Sequence, residues 1–157
     1  MKKPAPKKLM DVLINNQNDQ HGTDTEEIRK TAEIILNTLD KAEAELSILM
    51  VDDLKIAELN KRYLNRDRPT NVIAFPMQAG EFTQVSPYLL GDVVISTDTA
   101  DREGATAGIG TAMRLRQLLV HGILHLCGYD HEESEQEALR MEKKADLLLQ
   151  AIEERLK

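Results

Sequence analysis

Between Thr111 and Cys127 apolar residues recur at the spacing of one helix face, and the run stops at Gly128. Two histidines, His121 and His125, sit one turn apart inside that run, and His131 follows three residues after the glycine. Three of the chain's four histidines therefore fall within eleven residues. On a helix, side chains at i and i+4 share a face with Cβ atoms about 5–6 Å apart, close enough for two imidazoles to grip one small ion. Gly128, free to adopt positive φ, ends the helix and lets the chain bring His131 back toward the pair. The fold must therefore bury one side of a long helix and leave its flank open.

Leu115, Leu118, Leu119, Gly122, Ile123 and Leu126 form the buried stripe, with His121 and His125 beside it. Arg114 shares the histidine face two turns earlier, about 10 Å down the helix from His121. Three neutral imidazoles at about 2.0–2.1 Å, with water in a fourth position, make an open catalytic zinc site, whereas a structural site is more often closed by Cys. Cys127 is the one cysteine, two residues past His125 and so turned about 200° away from it on a helix; it is expected to be a small buried residue. The spacing matches the metzincin signature His-Glu-x-x-His-x-x-Gly-x-x-His. Gly122 stands where that class carries its general-base glutamate, which disfavours a metzincin peptidase.

Periodicity elsewhere predicts four strands, near 10–15, 45–51, 71–76 and 91–96, and five helices, near 25–40, 53–64, 97–103, 111–127 and 132–156. Leu54, Ala57 and Tyr63 are the expected inward positions of the second helix, with Asp52-Asp53 as its cap. Residues 78–90 and 104–110 read as connections. The order implies an α+β fold: a small mixed four-stranded sheet packed with about five helices, the three histidines on a central helix and the turn after it. A length of 157 residues suits one domain over 1–157, with 1–8 a loose basic tail. One cysteine fits a reducing compartment, and no apolar run is long enough to span a membrane, so a cytoplasmic protein is expected.

Around the histidines the sequence is similar to a known family. His121-Gly122-Ile123-Leu124-His125-Leu126-Cys127-Gly128-Tyr129-Asp130-His131 resembles the signature of the YbeY family, bacterial metal-dependent endoribonucleases and ribosomal-RNA maturation factors. Pro69-Thr70-Asn71-Val72-Ile73-Ala74-Phe75-Pro76 and Leu90-Gly91-Asp92-Val93-Val94-Ile95-Ser96 resemble two further family segments, so the likeness runs from about residue 45 to 131. The resemblance implies an α+β fold, one Zn2+ held by His121, His125 and His131, and endonucleolytic cleavage of single-stranded ribosomal RNA. It also implies work on the ribosome, or with small-subunit ribosomal proteins, in rRNA maturation and quality control. One departure stands out: where the family usually has an arginine after the aromatic of its "LNxxYR" segment, this chain has Leu64 after Tyr63. Arg62, Arg66 and Arg68 lie close by as candidate RNA-binding residues, Arg66 being the candidate for the missing catalytic role.

A net charge of −7, from 20 basic and 27 acidic residues, excludes a protein that coats nucleic acid indiscriminately. The charge is uneven: residues 61–68 hold four basic residues against one acidic, while 130–157 hold nine acidic against five basic. That distribution suits a local basic groove on an acidic body. With five aromatics, binding should rest on phosphate contacts more than on stacking. Asp130 has three open roles: orienting a ligand imidazole, acting as a base, or capping the next helix. Either water or the RNA's own 2′-OH is available as nucleophile. Two other readings remain, a ribosome-assembly factor whose metal is mainly structural and a metal hydrolase of another substrate such as a peptide.

Overall fold

The computed structural model describes residues 11–77 and 88–156; the basic tail at 1–8 and most of the 78–90 connection lie outside the described residues. Strand β1 (Asp11–Asn16) leads to helix α1 (Thr25–Thr38), β2 (Glu45–Val51), α2 (Asp53–Leu64), β3 (Val72–Pro76) and β4 (Leu89–Ser96). Helices α3 (Thr97–Ala107), α4 (Thr111–Leu126) and α5 (Glu135–Arg155) complete the chain. The four strands form one mixed sheet in the order β1-β2-β4-β3. β1, β2 and β4 run parallel, with Val12 beside Leu46 and Ile48 beside Val93, and β3 pairs antiparallel with β4, Ile73 opposite Val94. Among the described residues the α+β architecture, the four strands and the five helices agree with expectation.

Alternation along β2 explains how the sheet is covered on both faces. Leu46, Ile48 and Met50 are fully buried and join the main core with Ile35, Leu119, Ile123, Leu148 and Ile152 from α1, α4 and α5. Val51 joins a second cluster with Ile56, Ile73 and Val94, where α2 covers the opposite face. Each early helix starts on a side-chain cap that satisfies otherwise orphaned amides. Asp24 accepts from the amides of Glu26 and Glu27, and Asp52 accepts from that of Lys55.

Some local expectations fail, each for a packing reason. α3 runs on to Ala107 rather than ending at residue 103. Gly104 is not a helix stop; a Cβ there would lie 2.4 Å from the Gly110 carbonyl oxygen, so the glycine permits close approach of the next turn. α5 starts at Glu135, after Ser134 caps it, rather than at Glu132. On α2, Leu54 and Tyr63 point outward, at 81% and 57% exposure, Ala57 is half-buried, and Ile56 and Asn60 are the buried positions. Asn60 is polar yet interior because its Nδ2 donates to the carbonyl of Arg68 at 2.9 Å.

At the carboxyl ends of β1, β2 and β4 a polar network ties the three parallel strands together. Asn18 Nδ2 donates to Thr97 Oγ1 at 2.8 Å and to Asp98 Oδ1 at 2.9 Å, and His21 Nε2 lies 2.7 Å from the same oxygen. The Asp53 amide donates to Asp98 Oδ2 at 3.0 Å, while Asp53 Oδ1 accepts from Ser96 and Thr99 hydroxyls, both at 2.6 Å. The His21 contact, helped by the Asp53 amide and Asn18 and opposed by burial, holds the Asp98 carboxyl below its usual range. Burial alone would raise Asp53, but its bonds from Ser96, Thr99 and Arg102 outweigh that and lower it too.

Carboxyls lowered in the folded state stabilise it above their unfolded pKa, about 3.9, and that contribution disappears as pH falls through the lower folded value. Asp98→Ala is therefore expected to cost about 1–3 kcal/mol at pH 7. Urea melts of both proteins should show this gap shrinking progressively below about pH 4. A gap that persists unchanged in acid would mean the carboxylate contributes nothing as an anion.

Candidate metal centre

The centre is built by the way α4 lies on the sheet and by the way it stops. Gly122 sits over β4, where a Cβ would be 2.7 Å from Val93 Cγ1, so the helix axis approaches the strands closely at this turn. The buried stripe of α4 faces the core, and His121 and His125 remain half-buried on its flank. The helix then ends in a paired hydrogen-bond motif: the Gly128 amide donates to the His125 carbonyl and the Tyr129 amide to the Leu124 carbonyl, both at 3.0 Å. Gly128 takes φ 93°, which an L side chain rarely adopts. Asp130 Oδ1 accepts from the Glu132 amide at 2.8 Å, tightening the turn that carries His131 back over the helix.

The three imidazoles converge. Ring centroids of His121 and His125 are 4.5 Å apart, and His131 lies 5.4 Å and 5.5 Å from them. One nitrogen from each ring falls within 4.8 Å of the others. The Nε2 atoms of His121 and His125 are 3.0 Å apart, close to the roughly 3.3 Å that two nitrogens adopt around a tetrahedral ion at about 2.0–2.1 Å. Burial, followed by the neighbouring His125, His131 and Arg114, pushes His121 down to about 4. Burial, with His131, also lowers His125, against the opposing carboxylates of Asp130 and Glu132. Both rings are therefore neutral at pH 7, the state that binds a divalent ion. Cys127 is half-buried rather than buried; it packs against the main core, does not join the histidine group, and burial raises its thiol pKa. Three imidazole nitrogens without a thiolate fit a divalent ion with one coordination position left open.

That open side faces a groove of about 420 Å³, which brings His121, His125 and His131 together with Arg66, Arg68 and Asp130. Arg66 and Arg68 reach it because the loop after α2 is pinned down. Asn65 takes a left-handed turn at φ 58°, the Arg66 amide donates to the Asn60 carbonyl at 3.2 Å, and Asn60 holds the Arg68 carbonyl. Leu64 also lines the groove, so the position of the family's usual arginine does face this site. Arg62 does not line it; its guanidinium rests over the Tyr63 ring, 5.4 Å from the centroid. Tyr63 in turn meets Phe75 edge-on at 5.4 Å, and Phe75 is half-buried against the α2 cluster.

Sequence reasoning gives Asn60 no role, although it stands in the segment that resembles the family's "LNxxYR", one turn from Ile56 on the inward face of α2. It also misses Asn71 and Gln117, which line a second cavity that shares His121 and His131 with the first.

Converging imidazoles, an open coordination side and arginines along the approach place the chain among metal-dependent hydrolases of phosphate-bearing chains. The model of the family described as "Endoribonuclease YbeY" matches residues 13–153, and the chain belongs to that family. The Endoribonuclease YbeY of Geobacter metallireducens is 51% identical over 136 residues, covering 86% of this chain and 91% of the relative. That of Syntrophotalea carbinolica is 47% identical over 145 residues, covering 91% and 97%. The solution structure of a Thermotoga maritima protein matches the fold with a TM-score of 0.63 at 21% identity, over 90% of this chain and 88% of that one.

Proposed function

We propose that this protein is a zinc-dependent endoribonuclease that cleaves single-stranded ribosomal RNA during small-subunit maturation and quality control in the cytoplasm, on the ribosome or with small-subunit proteins. The observation that carries this reading is the convergence of three imidazole nitrogens within 4.8 Å beside a groove lined by Arg66 and Arg68. His121, His125 and His131 hold one ion per chain. A bound divalent ion supplies Lewis-acid activation at the scissile phosphate.

The chain's own residues do the rest. Arg66 and Arg68 draw the phosphates of a single strand along the groove toward the histidines, and Arg66 balances the charge that grows at the reacting phosphate. Asp130 acts as a positioning residue: with Oδ1 bound to the Glu132 amide, it fixes the turn that presents His131. Low aromatic content along the groove makes binding weakly sequence-selective and salt-sensitive. Among the described residues no helix is long and apolar enough to cross a membrane, in keeping with a substrate met in solution.

Elemental analysis of the untagged protein should find about one zinc per chain, and cleavage of a single-stranded ribosomal-RNA fragment should stop on chelation. Arg66→Ala and Arg68→Ala should each weaken RNA binding across sequences and reduce the slope of log K against log salt by about 0.7. Arg62→Ala should change that slope little. A slope equal to wild type in the Arg66→Ala/Arg68→Ala double variant would remove the groove from the binding path.

Leu64 in the groove wall favours a second reading, an assembly factor whose metal is mainly structural. Zinc at one per chain with no cleavage, on free RNA or on ribosomes, would select that reading over the nuclease.

A further inference from the structure

The second cavity, of about 350 Å³, adjoins the groove at Val72, His121 and His131, and neither Arg66 nor Arg68 lines it. Val72, Leu118, Met141 and Leu149 supply its apolar walls, and Leu118 and Met141 are buried. Asn71 and Gln117 supply polar groups, and their amides are held in set orientations by a chain of side-chain bonds. Asn71 Nδ2 donates to the Glu103 carboxylate at 3.3 Å and 3.4 Å. Arg114 Nε donates to the same carboxylate at 3.0 Å, and Arg114 NH1 donates to Gln117 Oε1 at 2.7 Å. These bonds commit the Asn71 Nδ2 to Glu103 and the Gln117 Oε1 to Arg114, and leave the Asn71 Oδ1 as an acceptor and the Gln117 Nε2 as a donor. Neither retained group has a protein partner among the described residues.

The chemistry of this cavity is narrow. Glu103 neutralises Arg114, so the one cation at the rim is already paired. Glu142 also lines the cavity, adding negative charge, so a phosphate, which offers only acceptors, is disfavoured. A purely apolar side chain would leave both amides unmatched. A flat, largely apolar ring whose edge sets a donor beside an acceptor fits, and every nucleobase has such an edge. The volume lies within the range of small-ligand sites.

We propose that this cavity is a nucleobase subsite, seating the base of a nucleotide that flanks the scissile phosphate. Asn71 and Gln117 read its edge, and Glu103 and Arg114 act as positioning residues that hold the two amides. The inference rests on the endoribonuclease reading for the placement of the phosphate, but not for the occupancy of the cavity. The RNA then straddles the histidines, its backbone toward Arg66 and Arg68 and one unstacked base in the second cavity. Affinity for the backbone and seating of the base are thus assigned to different walls.

Two measurements on the full-length, methyl-labelled protein test this. Titration with the four nucleoside 5′-monophosphates should shift the methyl resonances of Val72, Leu118, Met141 and Leu149, and ribose 5-phosphate should not. Gln117→Glu keeps the acceptor for Arg114 but removes the donor; it should weaken the best nucleotide by about five- to ten-fold, with zinc content as in wild type. In parallel, an abasic residue walked through a single-stranded RNA should lower cleavage at one position flanking the cut. Equal shifts with ribose 5-phosphate, or an unchanged Kd in Gln117→Glu, would overturn the subsite. Methyl shifts without cleavage of any RNA would leave the subsite standing and remove the nuclease reading. Normal cleavage that ignores the abasic residue, with no methyl shifts, would do the reverse.

Discussion

His125→Ala is expected to abolish RNA cleavage and metal retention together, with a fall in rate of at least about 10³-fold, equivalent to about 4 kcal/mol of barrier. The expectation follows from geometry. His125 Nε2 lies 3.0 Å from His121 Nε2, and its removal leaves only His121 and His131 of the converging group. Two imidazoles, one of them from a turn at 47% side-chain exposure, are too few to hold an ion against dilution. The fold should survive, because His125 is only half-buried and alanine is a better helix former. Elemental analysis, circular dichroism and a cleavage assay on one preparation separate these effects. A metal-free His125→Ala protein with full activity would end the metal-hydrolase reading. Cys127→Ala is the matched control and should keep its zinc, since the thiol belongs to the core side of the helix.

Gly122→Glu, the substitution that would complete the metzincin signature, is expected to prevent folding rather than to create a peptidase. The new Cβ would stand 2.7 Å from Val93 Cγ1 and 3.3 Å from Val72 Cγ2, inside the contact between α4 and the sheet. Val93 is fully buried and stiff at χ1, so it has nowhere to move. The carboxylate must also be desolvated at a buried position, and the combined cost should exceed about 4 kcal/mol, enough to lose much of a typical domain's stability. Gly122→Ala isolates the steric part. Overpacking of about 1–3 kcal/mol should be offset by up to about 1 kcal/mol of helix propensity, leaving a modest loss in a urea melt. A soluble Gly122→Glu protein melting like wild type would show that α4 does not rest on β4 as described. The glycine in the glutamate position is thus a packing requirement of this sheet, which is why the protease spacing appears without the protease base.

The parts of the molecule that sequence reasoning finds are those decided locally. Asp52 announces its helix because a capping carboxylate acts on an amide three residues away. The histidine trio is legible for the same reason, since one helix turn and one glycine turn set its geometry. Strand order is not legible in this way: β4 inserts between β2 and β3 through contacts that carry no local signature. The arginines show the boundary between the two cases. Arg62, Arg66 and Arg68 look equivalent as a charge run, and only the path of the loop, fixed by Asn60, sends two of them to the groove and leaves the first on Tyr63. The Asn71–Glu103–Arg114–Gln117 chain draws on β3, α3 and α4, so no spacing in the sequence foreshadows it.

The strand order also dictates the sequence of events by which the protein forms. β1, α1 and β2 can pair as soon as they exist, but β2 keeps an open edge until β4 has been synthesised some forty residues later. β3, made before β4, has no place in the sheet until β4 has arrived. Asn18 waits longer still, for partners 79 and 80 residues ahead of it. Formation is therefore governed by distant closures and should take milliseconds to seconds rather than microseconds. During that interval the open backbone edge of β2, and the face carrying Leu46, Ile48 and Met50 that α4 and α5 have yet to cover, are the surfaces through which unfinished copies would clump. A nascent chain that stalls before Ser96 is the form most in need of a chaperone.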